Sequence, residues 1–317
     1  MKRNISLDIL KLLLALSVLL HHCIPNDPLT VFSYLSKQGL FRIAVPIFLI
    51  INGYYFYNII ENKGYYKWFK KNLILYAIWM IFYSYFWFYI PELSPKEIAK
   101  LFHKIIIGYY HLWYVSGLFF AACMLIAIRN SSLGFIVLSV SVCYLAGCAI
   151  QYLGNYQYFE GNVLNKFFNQ NWTHRNAILF SYPYFSIGYL IKKYSLHDKV
   201  NLKNALLISS FGLIALLLES LYTYYDESCI GGFDNFFSLI VACPFIFIIF
   251  IKTDHIGHGK NLSLLATSIY LIHPVFISII NKFLDYGTFL LSLNTLILSV
   301  VASLFLIKIN RKIKCVL

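Results

Sequence analysis

The stretch "LDILKLLLALSVLLHHCIP", residues 7–25, combines an apolar run typical of a membrane helix with four ionisable side chains. Asp8 and Lys11 lie near one end of the run, and His21 and His22 lie at the other. Ionisable groups inside a bilayer are costly, and by default they indicate a pathway or a site. The stretch therefore predicts a first transmembrane helix with a functional polar face.

The rest of the chain has the composition of a polytopic membrane protein. Of its 317 residues, 60% are hydrophobic and 12% are charged, whereas an average soluble domain has roughly 25% charged residues. Lys2 and Arg3 give the chain a basic start like that of a signal peptide, but no small-residue cleavage site follows, so we expect a retained helix. The basic residues behind the net charge of +13 are scattered between apolar segments, which argues against nucleic acid binding.

The seven cysteines predict neither a disulfide nor a metal site. They are Cys23, Cys123, Cys143, Cys148, Cys229, Cys243 and Cys315. No two of them form a CxxC pair, and most lie in apolar runs, where a free cysteine behaves as a small hydrophobic residue.

Ten apolar runs are long enough to cross a hydrocarbon core of ~30 Å, which takes about 20 helical residues. They lie near 6–24, 40–60, 73–90, 112–128, 133–152, 177–191, 204–224, 235–251, 263–281 and 288–307. No segment between them has the composition of a linker or of a soluble domain. We therefore expect an all-α, polytopic membrane protein in which residues 1–317 form one bundle of about ten transmembrane helices.

The distribution of Lys and Arg predicts the orientation of this bundle. With alternating spans, 17 Lys and Arg residues fall on the side of the N-terminus and 8 on the opposite side, with Lys11 inside the first helix. Basic residues collect on the cytoplasmic side of membrane proteins, and the acidic loop 222–235 falls on the other side. Both termini are therefore predicted to be cytoplasmic.

Helix geometry places the polar residues of the first span on one face. At ~100° and 1.5 Å per residue, Lys11 and His22 point about 20° apart and lie roughly 16 Å apart along the axis, with Asp8 within about 60° of both. His21 points about 80° away from Lys11, so we expect it to face a neighbouring helix or lipid. The alternative is an interfacial Asp8–Lys11 pair, with both histidines reaching the opposite headgroups.

Later spans carry further polar residues that are candidates for binding a substrate. They are Asn52, His111, Trp113, Tyr114, Arg175, Asn176 and His273. Each alone has a structural explanation, such as an interfacial aromatic belt for His111 and Trp113. Together they bring imidazole and amide groups from several helices to compatible depths, which predicts a water-accessible cavity.

A basic cluster opens the third span, where "YYKWFKKNLILY", residues 65–76, contains Lys67, Lys70 and Lys71. Such a cluster is commonly a cytoplasmic anchor. The functional alternative is a phosphate clamp at a helix N-terminus, where amide donors and the helix dipole favour an anion.

At these residues the sequence resembles the acyltransferase family 3 membrane proteins, which include O-acetyltransferases of bacterial surface polysaccharides. The family opens with an Asp-x-x-Arg pattern followed by a histidine, which resembles Asp8, Lys11 and His22 here. Later segments resemble family landmarks in the same order, namely 47–57, 111–118, 174–193 and 269–277. In this chain Lys11 stands where the family usually has Arg, which removes a bidentate contact, and Asn52 replaces a common Ser.

The resemblance implies transfer of an acyl group, usually acetyl, from cytoplasmic acyl-CoA to a hydroxyl of a surface or lipid-linked polysaccharide. Lys67, Lys70 and Lys71 are then candidates to hold the CoA phosphates, and His22 is the general base, since histidine titrates near neutrality. Asp8 and Lys11 would orient the inner half of the path. The partners are acyl-CoA, a glycan acceptor and lipid, without metal or nucleic acid, and the location is the bacterial cytoplasmic membrane.

Two other classes of function use similar features. A transporter or exporter of a small polar substrate or glycan also needs a polar cavity, and inverted repeats would support it, but the chain has no convincing internal repeat. A sensor or scaffold without chemistry does not explain the aligned polar face of the first helix.

Overall fold

The computed structural model describes residues 3–25, 30–253, 255–257, 260–283, 287–314 and 316–317. Lys2 and Cys315, which contribute to the sequence-based predictions, lie outside the described residues. Within these ranges the chain is predominantly helical, as predicted, and the strands are two short segments, β1 (Arg3–Asn4) and β2 (Ile256–Gly257), paired antiparallel.

The described residues form sixteen α-helices. In chain order they are α1 (Ile5–Cys23), α2 (Val31–Tyr34), α3 (Ala44–Glu61), α4 (Tyr65–Phe82), α5 (Ser84–Trp87), α6 (Pro95–Ile107), α7 (Trp113–Ile128), α8 (Leu133–Asn155), α9 (Val163–Phe168), α10 (Asn171–His174), α11 (Tyr182–Lys193), α12 (Leu196–Lys199), α13 (Leu202–Tyr225), α14 (Leu239–Lys252), α15 (Asn261–Phe283) and α16 (Thr288–Lys312). Irregular helical turns precede three of them: the π-helical turn Leu35–Gly39 and the 3₁₀ turn Leu40–Ile43 before α3, the 3₁₀ turn Tyr110–Leu112 before α7, and the π-helical turn Ala177–Ser181 before α11.

Seven helical segments among the described residues are long and apolar enough to cross a membrane. They are Ile5–Cys23, Val31–Glu61, Tyr110–Ile128, Leu133–Asn155, Leu202–Tyr225, Asn261–Phe283 and Thr288–Lys312. The other three predicted spans coincide with α4, with α11 and its preceding turn, and with α14, which are shorter or more polar. The all-α membrane class is confirmed, and the count of ten spans stays a prediction.

Two elements differ from the sequence prediction. The helix α4 begins at Tyr65, so it includes the basic segment 65–76 that is predicted to open the third span, but it ends at Phe82, before the end of the predicted apolar run 73–90. Residues 95–107, for which the sequence predicts a loop, form α6. Ser94 caps this helix by accepting a hydrogen bond from the amide of Glu97, and Pro95 is its first residue.

Local chemistry explains the two ends of α1. The side chain of Asn4 accepts a hydrogen bond from the amide of Leu7 at 3.0 Å and so caps the first turn. The helix ends at Cys23, and Ile24, the residue before Pro25, is in extended backbone. His22 therefore lies in the last turn of α1.

Two glycines let α3 and α11 cross with their backbones in contact. A Cβ atom on Gly53 would lie 1.8 Å from the carbonyl oxygen of Phe185, and one on Gly188 would lie 2.0 Å from that of Ile50. Close crossings at small residues are a common way for membrane helices to associate. This crossing fixes Asn52, the neighbour of Gly53, inside the bundle.

Candidate active site

Three histidines from separate elements meet inside the bundle. His22 ends α1, His111 lies in the 3₁₀ turn before α7, and His273 precedes Pro274 in α15. The ring centroids of His22 and His273 are 5.4 Å apart, and those of His111 and His273 are 5.6 Å apart. We call these three residues the histidine cluster.

Tyr110 orients the imidazole of His22. The Tyr110 hydroxyl lies 2.8 Å from Nδ1 of His22, and the two ring centroids are 4.7 Å apart. Tyr110 adopts a φ of 50°, in the left-handed region that residues other than glycine seldom occupy. Backbone strain of this kind is found preferentially at functional sites. When Nδ1–H donates to the hydroxyl, Nε2 of His22 keeps the lone pair that a base needs.

The other two histidines of the cluster have unused ring nitrogens. Both ring nitrogens of His111 and Nε2 of His273 are buried without a hydrogen-bond partner among the described residues. Nδ1 of His273 lies 3.0 Å from the carbonyl oxygen of Ile269. A buried polar group without a partner costs free energy, so these nitrogens are suited to binding a polar group of a substrate. No group of three or more His, Cys, Asp or Glu side chains in the described part of the chain is arranged to hold a metal ion.

His22 also lines a cavity of about 50 Å³, which we call the histidine cavity. Its charged residues are Arg42, Arg175 and Asp234. Nη1 of Arg42 lies 2.5 Å from Oδ1 of Asp234, and Nη1 of Arg175 lies 3.4 Å from Oδ2. Burial raises the pKa of Asp234, but the guanidiniums of Arg175 and Arg42 outweigh this effect and hold that pKa well below its usual range. The three side chains together carry a net positive charge beside His22.

His21 is closer to this site than helix geometry predicts. Its Nδ1 lies 3.1 Å from the carbonyl oxygen of Lys37, in the neighbouring π-helical turn, as expected for a residue that faces another segment. However, His21 also lines the histidine cavity. The cavity extends around the last turn of α1. A residue such as His21, which points about 80° away from Lys11 on this helix, can therefore still line the cavity.

Trp113 and Arg175 separate the histidine cavity from a second cavity. The Arg175 guanidinium carbon lies 5.1 Å from the Trp113 ring centroid, an arrangement typical of a cation–π contact. Both residues also line a mostly apolar space of about 160 Å³, which we call the lateral cavity. Asn176 lines the lateral cavity too, but its side chain accepts hydrogen bonds from the amides of Ile178 and Leu179 at 2.9 Å. The position of Asn176 is therefore explained by capping the turn Ala177–Ser181.

Asp8, Lys11 and Asn52 lie on the far side of the histidine cluster. Nζ of Lys11 is 3.3 Å from Oδ1 of the buried Asp8. Lys11, Asn52 and Tyr114 line a space of about 320 Å³, which we call the central cavity. Asn52 donates a hydrogen bond to the Tyr114 hydroxyl at 2.8 Å. Lys11 and His22 thus border two different cavities, although they lie on one helix.

Two tyrosines lie between the central cavity and the histidine cluster. Tyr270 lines the central cavity, and its ring centroid is 5.4 Å from that of His111. Its hydroxyl donates to the carbonyl oxygen of His111 at 2.8 Å. Tyr114 packs against Tyr270 with ring centroids 5.6 Å apart. The rings of Tyr270 and Tyr114 therefore lie between the central cavity and His111 of the cluster.

The predicted lysine cluster lines an open groove at the other end of the central cavity. Lys67, Lys70 and Lys71 project from the first turns of α4, and Lys314 lies on the same groove, whose volume is about 570 Å³. We call it the lysine groove. Trp68 and Lys71 line both the lysine groove and the central cavity. The lysine groove and the central cavity are therefore adjacent, and Tyr270 connects the wall of the central cavity with the histidine cluster.

Several residues of this site were not predicted from the sequence. Arg42 and Asp234 are 192 positions apart in the chain, and only the fold pairs them. Tyr110 and Tyr270 were indistinguishable from the many other tyrosines of the sequence. One signal in the sequence could have indicated the Arg42–Asp234 pair. Both charged residues lie next to apolar runs, and a charge within the membrane needs a partner of opposite charge.

Comparison with known proteins defines the class of this chain. The family model described as "Acyltransferase domain" matches residues 4–308, and the chain belongs to this family of acyltransferase 3 membrane proteins. It is 26% identical over 298 residues to a serine/alanine racemase of Enterococcus gallinarum, an alignment covering 86% of this chain and 40% of that protein. It is 25% identical over 331 aligned positions to an amino-acid racemase of Enterococcus faecalis, covering 97% of this chain and 46% of that protein. The chain thus spans less than half the length of these relatives, and no solved structure matches it.

Proposed function

We propose that the protein is a membrane-bound O-acyltransferase that transfers an acetyl group from cytoplasmic acetyl-CoA to a hydroxyl of a surface or lipid-linked polysaccharide. The observation that carries this proposal is the spatial order of the lysine groove, the central cavity and the histidine cluster. A lysine groove leads to a mostly apolar central cavity that Lys11 and Lys71 border, and this cavity ends at tyrosines packed on a cluster of histidines. An anionic carrier with a long neutral arm and a reactive carbonyl at its tip matches that order of environments.

The lysine groove suits the phosphates of CoA. Lys67, Lys70, Lys71 and Lys314 supply four ammonium groups at the start of α4 and beyond the end of α16. The first turn of a helix adds amide donors and the positive end of the helix dipole, which favour phosphate. The pantetheine arm would then extend past Lys71 and Trp68 into the central cavity, beside Asn52 and Tyr114.

His22 would act as the general base on the acceptor. Its Nε2 takes the proton of the acceptor hydroxyl, and the oxygen attacks the thioester carbonyl. The C–S bond then breaks, and His22 returns the proton to the CoA thiolate. His111 and His273, whose buried ring nitrogens have no partner among the described residues, would hydrogen-bond the carbonyl oxygen as negative charge develops on it.

This mechanism assigns the two ends of the bundle to opposite sides of the membrane. The lysine groove and both termini would face the cytoplasm of a bacterial cell, where acyl-CoA is present. The histidine cavity would open toward the outer half of the bilayer. The excess of Lys and Arg on the side of the N-terminus supports this orientation.

Transport of a small polar substrate is the second candidate function. Two cavities separated by the paired rings of Tyr114 and Tyr270 also resemble a substrate path with a central barrier. Both curated relatives carry names of amino-acid racemases, so an amino acid is the first substrate to test. A carrier would move its substrate without consuming acetyl-CoA.

One experiment separates these functions. The purified protein, reconstituted in vesicles, is incubated with acetyl-labelled acetyl-CoA and a panel of glycans and lipid-linked saccharides. We expect label to appear in an acceptor and free CoA to be released in equal amount. Accumulation of a labelled amino acid inside the vesicles, with acetyl-CoA left intact, would contradict acyl transfer and support transport.

A further inference from the structure

The lateral cavity opens toward the region occupied by lipid tails. Ile106, Phe120 and Ile178 line it, and each side chain is 41–52% exposed. Phe120 lies in the middle of α7, within a segment able to cross the membrane. Exposed apolar side chains at that depth contact lipid, so the rim of this cavity is accessible from within the bilayer.

The histidine cavity is the smaller of two adjoining spaces. Its volume is about 50 Å³, against about 160 Å³ for the lateral cavity. The two cavities share the wall formed by Trp113 and Arg175. An acceptor whose hydroxyl lies beside His22 therefore has the larger space for the rest of the molecule in the lateral cavity.

Arg175 gives that shared wall a preference for anions. It is the charged residue among those that line the lateral cavity, and its side chain is 28% exposed. Asp234 neutralises one of the two guanidiniums that it contacts, since Arg42 binds the same carboxylate at 2.5 Å. One positive charge therefore remains available to a ligand that occupies both cavities.

Helix α6 supplies a second basic element at the same place. Ile98, Phe102 and Ile105 form an exposed apolar stripe at helical spacing, and Lys96, Lys100 and Lys104 recur every fourth residue on the opposite face of the helix. Helices of this kind lie in the membrane interface and attract anionic lipids. The C-terminal residues of α6, Ile106 and Ile107, line the lateral cavity, so anionic headgroups would be concentrated at its mouth.

We propose that the acceptor is a membrane-borne lipid with a net anionic phosphate headgroup that enters from the bilayer through the lateral cavity, with its chain against α7 and its phosphate on Arg175. This inference rests on the proposed function, because it describes how the acceptor hydroxyl reaches His22. It specifies a membrane-borne acceptor and assigns Arg175 to recognition of its phosphate.

Photo-crosslinking with lipid probes tests the route without acyl-CoA. The full-length protein is placed in nanodiscs that contain a trace of a diazirine-bearing phosphatidic acid or the matching phosphatidylcholine. We expect the phosphatidic acid probe to label peptides containing Phe120 or Ile178 at least fivefold more than the phosphatidylcholine probe. Equal labelling by the two probes would overturn the proposal.

Blocking variants locate the labelling. Ala177→Trp and Ile178→Trp fill the lateral cavity from two positions, whereas Ile214→Trp adds the same indole to an exposed position of α13. We expect either blocking variant that retains wild-type acyl-CoA binding to lose the labelling, and Ile214→Trp to keep it. Arg175→Gln should keep labelling but remove the preference for phosphatidic acid. Wild-type labelling in both blocking variants would contradict a lateral route.

Competition separates a lipid site from a free-anion site. Inorganic phosphate at millimolar concentration should leave the labelling by the lipid probe unchanged. If phosphate abolished this labelling, the assignment of the site to a lipid would be overturned. Failure of this inference is also distinguishable from failure of the proposed function. A protein that transfers acetyl but shows no labelling preference refutes the lateral route alone. A protein that shows the preference but transfers no acetyl refutes the acyltransferase proposal alone.

Discussion

At the scale of residues, the character of His22 depends on neighbours that come from distant parts of the chain. Tyr110 fixes one ring nitrogen, and His273 stacks on the ring face at 5.4 Å. The position of His22, eleven residues after Lys11 on the same helix, is enough to predict its role from the sequence. The sequence does not identify Tyr110, because the left-handed backbone that turns this side chain toward His22 has no distinctive local sequence signal.

Tyr110→Phe tests whether the hydroxyl positions the base. The variant keeps the ring contact with His22 but removes the hydrogen bond. An ordinary hydrogen bond contributes about 0.5–1.5 kcal/mol, so kcat for acetyl transfer should fall about two- to tenfold. KM for acetyl-CoA should not change, and the pH profile should shift because Nδ1 loses its partner. Tyr109→Phe removes a neighbouring hydroxyl as the control, and an equal effect of both variants would contradict a positioning role.

The pH dependence of transfer separates His22 from the Arg42–Asp234–Arg175 group. The pKa of Asp234 is held well below its usual value of 3.8, so its contribution to stability is present above that value and is lost only as the pH falls through the lowered pKa. A histidine base works only when neutral. As the pH is lowered from 8, we therefore expect transfer to fall when His22 becomes protonated, while the Arg42–Asp234–Arg175 group keeps its own contribution to the thermal unfolding midpoint. A parallel loss of both would mean that acid unfolds the site.

At the scale of elements, hydropathy predicted most helices because length and apolar content are properties of a single segment. It extends the third span beyond the end of α4 at Phe82, and it does not predict α6, since lysines along one face of α6 lower the mean hydropathy. Hydropathy also does not predict the crossing of α3 and α11. Gly53 was noted only as an interruption, whereas its function is to let two backbones touch.

The basic start of α4 makes a prediction about the donor. Lys70→Ala together with Lys71→Ala should weaken acyl-CoA binding about 5- to 30-fold, since exposed charge contacts contribute up to about 1 kcal/mol each. Wild-type affinity should fall with added salt, which screens exposed charges. Lys199→Ala with Lys203→Ala changes two exposed lysines outside the groove and serves as the matched control. Donor affinity unchanged in the first double variant would place the CoA phosphates elsewhere.

At the scale of the whole molecule, the account requires the two ends of the path to face opposite compartments. The cavities occur in the order that such a path needs, but their sidedness rests on the distribution of Lys and Arg. The pairing of Arg42 with Asp234 shows why the full site could not be predicted from the sequence. Contacts between segments 192 positions apart arise from packing of the bundle and leave no trace in local periodicity.

Labelling of single cysteines tests this orientation. In a cysteine-free background, Glu227→Cys lies in the loop after α13 and Glu61→Cys lies at the end of α3, and both positions are exposed. A membrane-impermeant maleimide added to intact cells should modify the first and not the second. The opposite result would reverse the topology and remove the basis for a cytoplasmic donor.

The central claim is that His22 performs acyl transfer from acetyl-CoA, and it is tested most directly by the transfer rate of His22→Ala. Removal of a positioned general base costs ~10²- to 10⁴-fold in rate, so we expect near-complete loss of transfer with unchanged acetyl-CoA binding. His21→Ala, which removes a neighbour held by the Lys37 carbonyl, should have a smaller effect. Transfer by His22→Ala at the wild-type rate would contradict the mechanism proposed for this protein.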